Sequence, residues 1–405
     1  MQRSEVLKPG QRRRRSRRRV FRVGVVLALG IGLGHSQRGF AAERARQQNQ
    51  NGSASGENSA SEKQALGNVS PDPEANLAAG IQLTGAGKFA EAIPYLEAAR
   101  GRVDPGERFA ADFDLSLCYV AEGKPRKAIP LLVELRKKQP NQTNVLNLLA
   151  QAYVGAGEAK PAMEALEAAA SENPKNEKLY LFVADACTAN REYRLGVDVT
   201  SLGLRELPDS ARLHYEQGVF YSYLGSEGKA ELDFRQAVAL GPGEIIGFMA
   251  AAQESFLEGN LQRTIRAAQE GLRSDKGNYV LLAILGSALL RSGATPGEPA
   301  FEEAFTVTRQ AVAERPQEAD SQVTLGRLYL MAGKTKKAIA HLEEAMRLDP
   351  ENRAACMQLA TAYRQSGDMA KAKKMFELLA RLNERKGNSG MGDGRPAQEI
   401  PHPRR

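Results

Sequence analysis

Residues 325–350, "LGRLYLMAGKTKKAIAHLEEAMRLDP", share their arrangement of large, small and turn residues with 149–174, "LAQAYVGAGEAKPAMEALEAAASENP", and with 115–140, "LSLCYVAEGKPRKAIPLLVELRKKQP". A fixed period constrains a fold more tightly than composition does. Each unit must then be one supersecondary element that buries its apolar face against its neighbours. Registers starting at 109, 143, 177, 211, 245 and 279 lie 34 residues apart, another starts near 73, and two more start at 319 and 353. This reading divides 73–386 into nine units.

Every unit carries the same steric instructions. The eighth position is small, as in Gly80, Ala150, Gly218, Gly286 and Gly326, and so is the twentieth, as in Ala92, Ala128, Ala230, Ala338 and Ala372. Small residues let two helix backbones approach, and large residues such as Tyr119, Tyr329, Leu96, Phe234, Leu342 and Phe376 fill the remaining space. Glycine at the fifteenth position (Gly87, Gly123, Gly157, Gly225, Gly259, Gly293, Gly333, Gly367) predicts the end of a first helix. Proline near the end of a unit (Pro140, Pro174, Pro208, Pro242, Pro316, Pro350) predicts the end of a second. The pattern therefore predicts an all-α stack of helical hairpins.

These units resemble tetratricopeptide repeats over 73–386, about three quarters of the chain. The resemblance implies a right-handed superhelical solenoid of antiparallel helix pairs. Its concave face, lined by the first helices, would bind peptides or protein segments. On the positions such geometry turns inward, the chain offers Phe113, Leu117, Asn147, Gln151, Leu181, Tyr215, Val219, Tyr223, Met249, Gln253 and Phe256 as candidate partner-binding residues. The lysine–asparagine arrangement with which some relatives hold a partner's C-terminal carboxylate is not reproduced; Asn147, Gln151 and Lys178 come nearest. An apolar groove bearing Met and aromatic residues suits an amphipathic helix or an extended apolar segment. On that expectation, Tyr215→Glu and Met249→Glu would leave folding intact and lower affinity for a partner.

Departures from the pattern mark irregular places. Ser255 and Thr264 stand where a large and a small residue are expected, Lys276 replaces a terminal proline, and Arg191 replaces a capping glycine. Six extra residues, 294–299, "ATPGEP", predict a surface loop with some hinge character. The last helix is charged rather than followed by an extra capping helix.

The basic balance has a local origin. Residues 1–42 carry eleven Lys or Arg and one Glu, so the net charge of +8 leaves the other 363 residues at −2. A groove that tracks phosphates needs basic residues clustered on the folded part, and none are, so nucleic-acid binding is not expected. Arg12–Arg22, the short apolar run Val23–Gly34 and a small-residue site near Gly39–Ala42 have the layout of an export signal, with "SRRRVFR" resembling the twin-arginine type. The run is too short to span a membrane. The sequence is thus expected to direct a periplasmic or secreted protein, retained at the membrane if the leader stays uncleaved. Residues 43–72 and 387–405 are poor in large apolar residues and read as a disordered linker and tail.

No catalytic pattern is recognisable. Cys118, Cys187 and Cys356 form no CxxC pair and read as small buried hydrophobes, while His35, His214, His341 and His402 are scattered. Neither a cofactor nor a metal site is expected. The composite expectation is a non-enzymatic scaffold for protein–protein interaction, supporting assembly of a bacterial envelope complex. Two rivals are a homo-oligomer formed through the uncapped C-terminal unit, and a cytoplasmic adaptor whose arginine-rich arm contacts nucleic acid or anionic lipid.

Overall fold

The computed structural model describes residues 69–389, with side chains to 384. The expected export leader, most of the expected linker and the tail beyond 389 lie outside the described residues. Among the described residues eighteen helices follow one another and there is no strand. They are α1 (Pro73–Gly85), α2 (Phe89–Ala99), α3 (Pro105–Ala121), α4 (Pro125–Lys138), α5 (Thr143–Ala156), α6 (Ala159–Glu172), α7 (Glu177–Ala189), α8 (Tyr193–Glu206) and α9 (Ala211–Tyr223). There follow α10 (Glu227–Leu240), α11 (Ile245–Glu258), α12 (Leu261–Ser274), α13 (Tyr279–Arg291), α14 (Pro299–Glu314), α15 (Ala319–Met331), α16 (Thr335–Leu348), α17 (Arg353–Gln365) and α18 (Met369–Ser389).

Each odd-numbered helix packs against the next as an antiparallel hairpin, and each hairpin stacks on its neighbour, producing a right-handed superhelical solenoid. The small residues act as the pattern requires. A Cβ placed on Gly218 would come within 2.8 Å of the Phe234 ring, and one on Gly326 within 2.6 Å of Leu342. These contacts are too short for a side chain, so glycine is what lets α9 meet α10 and α15 meet α16. The large partners Leu96, Leu132, Leu166, Phe234 and Leu342 are buried throughout the stack.

Turn chemistry sets the helix ends. The fifteenth-position glycines have positive φ, from 65° at Gly123 to 97° at Gly293. Arg191, at the equivalent place in the fourth hairpin, adopts the same left-handed conformation at φ 59°, the one non-glycine to do so among the described residues. Helices α4, α6, α8, α10, α14 and α16 all stop two residues before their proline. So does α12, although Lys276 stands in the proline's place. There Asp275 accepts from the Gly277 amide at 3.2 Å and from Asn278 Nδ2 at 3.1 Å, and Asn278 in turn caps α13 by accepting from Leu281 N at 3.2 Å.

The other departures also have local partners. Ser255 and Thr264 are both fully buried, with their hydroxyls 3.0 Å apart across α11 and α12, so a polar pair replaces a packing pair. The extra residues after α13 form a turn in which Glu298 accepts from Thr295 N at 2.8 Å, while Ala294 is buried beneath it. The three cysteines are buried and free. Among the described residues, no helix is long and apolar enough to cross a membrane.

Candidate functional site

The winding of the solenoid decides which side chains the concave face can offer. The fourth hairpin (α7–α8) faces the seventh to ninth across the superhelix. Arg191 Nη2 lies 3.3 Å from Asp349, at the turn after α16. Asn352 donates to Asp320 at 3.0 Å beside it, and Tyr193 stacks on Tyr223 with ring centroids 4.0 Å apart. The concave face is therefore a narrow interior bridged by side chains.

Among the described residues, two cavities lie along it. The larger, about 710 Å³, is lined by α7, α9, α11, α13 and the end of α14, with Leu181, Asp185, Glu216, Ile246, Met249 and Arg315 on its wall. Such a volume falls in the usual range for ligand pockets, ~300–1,000 Å³. The second, about 410 Å³, is lined by Thr188, Arg191, Tyr193, Tyr223, Glu318 and Asp320 among others. The same helix, α7, and the chain around the α14–α15 turn supply walls to both.

The sequence-predicted residues separate into three groups. Leu181 and Met249 line the larger cavity and Tyr223 the smaller. Phe113, Leu117, Asn147 and Gln151 belong to the second and third hairpins and line neither. Asn147 and Gln151 are buried in a ladder in which Gln151 donates to Asn147 at 2.9 Å and Asn147 to the Leu179 carbonyl at 2.8 Å. Tyr215, Val219, Gln253 and Phe256 are buried as well. Tyr215 is 0% exposed and tilts against Phe234 at 5.7 Å, and Met249, though it borders the cavity, is 6% exposed within the same core. The expectation that Tyr215→Glu and Met249→Glu leave folding intact is therefore revised: both positions are core. The fifth position of a first helix faces inward in the pattern, yet here the Tyr215 ring packs within its own hairpin against α10.

Sequence reading missed the polar character of the larger cavity. Its wall holds five carboxylates, Asp185, Glu216, Glu244, Asp275 and Glu314, against two arginines, Arg212 and Arg315. Burial pushes the Asp185 and Glu216 carboxyls well above the ordinary range, and the proximity of Glu216 raises Asp185 further. In the smaller cavity, burial raises Glu318 to about 7 against the opposing pull of Arg315. The available signal was Glu216 itself, a carboxylate inside "LHYEQGVFY", a first-helix stretch otherwise rich in buried side chains.

The remaining titratable groups are engaged elsewhere. His214 contacts Asp233 at 2.9 Å and the Pro208 carbonyl at 3.1 Å; acceptors at both ring nitrogens favour the protonated ring, and the bond to Asp233 raises its pKa. His341 contacts Gln322 at 2.8 Å and stacks on Tyr329, and burial lowers its pKa. Burial pushes the Cys118 thiol up to about 11, far from a reactive thiolate. Among the described residues, no group of three or more His, Cys, Asp or Glu could hold a metal ion.

The chain is similar to several known proteins. Family models described as tetratricopeptide repeat match residues 83–152 and 329–385, residues 281–351 and residues 143–176. A curated relative, the TPR repeat-containing protein YpiA of Bacillus subtilis (strain 168), is 25% identical over 309 residues, which is 75% of this chain and 62% of the relative. The chain thus spans less than two thirds of that relative's length. Among solved structures, a tetratricopeptide repeat protein from Parabacteroides merdae ATCC 43184 is 17% identical, with TM-score 0.46, covering 63% of this chain and 98% of that one. The APC/C hetero-tetramer Cut9–Hcn1 is 14% identical, with TM-score 0.48, covering 73% of this chain and 57% of that one. Tetratricopeptide repeats are present in this chain, and proteins built from them are generally interaction scaffolds.

Proposed function

We propose that this chain, built of tetratricopeptide repeats, is a non-enzymatic scaffold that receives a segment of a protein partner in the interior of its superhelix. One observation carries the reading: the roughly 710 Å³ cavity on the concave side of the fourth to seventh hairpins, walled by first helices. Leu181, Met249 and Ile246 supply its apolar surface, and Tyr223 continues that surface toward the second cavity. The buried cysteines and the engaged histidines support a binding role over a catalytic one. The export-type leader supports placing the protein in a bacterial envelope, where it assists assembly of a larger complex.

Photo-crosslinking in cells tests this reading. A photoreactive residue at half-buried Ile246 is expected to capture a discrete partner that exposed Gln236, on α10, does not. Equal capture from both positions, or none from either, would count against a docking site. N-terminal sequencing of the purified protein tests the setting: a chain beginning near residue 42 supports export, and an intact N-terminus in the soluble cytoplasm opposes it.

A second reading has an observation of its own. Met357, Met369 and Phe376 are exposed apolar side chains on the last hairpin, the open end of the stack, which fits self-association. A mass that grows with concentration in analytical centrifugation would support it, and a monomer at high concentration would exclude it.

A further inference from the structure

We infer that the larger cavity contains a subsite for the cationic side chain of an arginine or lysine in the partner segment, with Glu216 and Asp185 as its counter-charges. The inference rests on the docking reading above and adds the chemistry of what docks. Glu216 is 4% exposed and lines the cavity, yet among the described residues its carboxylate has no hydrogen-bond or ion-pair partner. A carboxylate removed from water without a partner is costly, and a site that keeps one is incomplete until a cation arrives. The rest of the wall leans the same way, with carboxylates outnumbering arginines. Neither arginine is wholly at liberty. Arg315 lies over the Tyr279 ring at 4.8 Å and its charge already acts on Asp185, and Arg212 reaches Glu177 at 4.0 Å, so Glu216 is the carboxylate left without a counter-charge.

A second observation extends the path. One turn along α7 from Asp185, Thr188 is 9% exposed, its hydroxyl has no partner, and it lines the adjoining cavity. A peptide running from one cavity to the other would set its cation against Glu216 and offer a backbone group to Thr188. A metal ion fits less well, because no metal-competent cluster forms among the described residues. An acidic or C-terminal tail would meet repulsion.

The test uses the full chain and three fluorescent dodecapeptides that differ only at a central residue: arginine, glutamine or glutamate. The arginine peptide is expected to bind at least tenfold more tightly than the glutamine peptide, and the glutamate peptide most weakly. In D185N/E216Q, whose substitutions keep shape and remove charge, the arginine preference is expected to vanish while glutamine-peptide affinity stays. Thermal unfolding of that variant at pH 8 should match or exceed wild type, which separates a lost subsite from a lost fold. The preference should also grow from pH 5.5 to pH 8 as Asp185 and Glu216 ionise, on a wall that also carries Glu244, Asp275, Glu314, Arg212 and Arg315. Equal affinity for the arginine and glutamine peptides, or a preference that survives in the double variant, overturns the subsite and leaves the docking reading standing. Failure of all three peptides to bind overturns both. Spermidine displacing the arginine peptide at equal concentration would reassign the site to a free polyamine and overturn its assignment to a protein segment.

Discussion

Glu216 and Glu254 are buried carboxylates on the first helices of adjacent hairpins, and they are treated in opposite ways. Glu254 faces the stacked hairpins, where Arg263 reaches it at 2.8 Å and Arg235 at 3.2 Å. Glu216 faces the superhelix interior and has no such partner among the described residues. In the packed stack a buried polar group can reach a neighbouring helix, as Ser255 reaches Thr264 and Asn147 the Leu179 carbonyl. On the concave side Glu216 has no such neighbour, so its carboxylate is left for whatever enters.

The largest expected effect tests the packed side. Tyr215→Glu puts a charge where exposure is 0% and removes a ring packed on Phe234, so a loss of about 4 kcal/mol or more is expected in urea unfolding. A variant with wild-type stability would return Tyr215 to the groove. Next comes Arg263→Ala, which leaves Glu254 with one half-exposed arginine; a loss of about 2 kcal/mol is expected by the same measurement. An unchanged midpoint would erase the contrast between the two glutamates.

Glu216→Gln should act in the other direction and depend on pH. Burial raises the folded-state pKa above the unfolded value, so the folded chain keeps a proton that the unfolded chain has released. Wild-type stability therefore falls as pH rises from the unfolded value through the folded one. The glutamine variant escapes that loss and should be more stable by about 1 kcal/mol at pH 8, with the gap closing by pH 5 in thermal melts. The smallest effect belongs to Arg191→Gly. Relief of the left-handed backbone, about 1 kcal/mol, offsets the loss of a half-exposed ion pair of similar size, so Tm should hardly move. Amide exchange near Asp349 and Asn352 should nevertheless quicken.

The hairpins were legible because their instructions are local. Gly218 against Phe234, or a helix stopping two residues before Pro174, is written within one unit. Even the exception at Lys276 is local, since Asp275 and Asn278 supply the turn that proline supplies elsewhere. The candidate site was only partly legible because it depends on how tightly the stack winds, which no single unit encodes. Leu181, Met249 and Tyr223 did fall on cavity walls, whereas Tyr215, at an equivalent place in the pattern, was absorbed into the core. Arg191 looked like a defective cap; its side chain instead reaches Asp349, a residue that no repeat period relates to it.

That reach alters how the molecule can come apart. A stack held only by nearest neighbours unravels like a row of tiles, one hairpin at a time from either end. A tie from the fourth hairpin to the turn between the eighth and ninth makes the intervening hairpins share one fate. Pulled from its two termini, such a chain should give way in steps outside the tied span and then in one larger step when the tie fails. A tie worth about 1 kcal/mol changes local opening about fivefold, enough to make the middle of this spring stiffer than its ends.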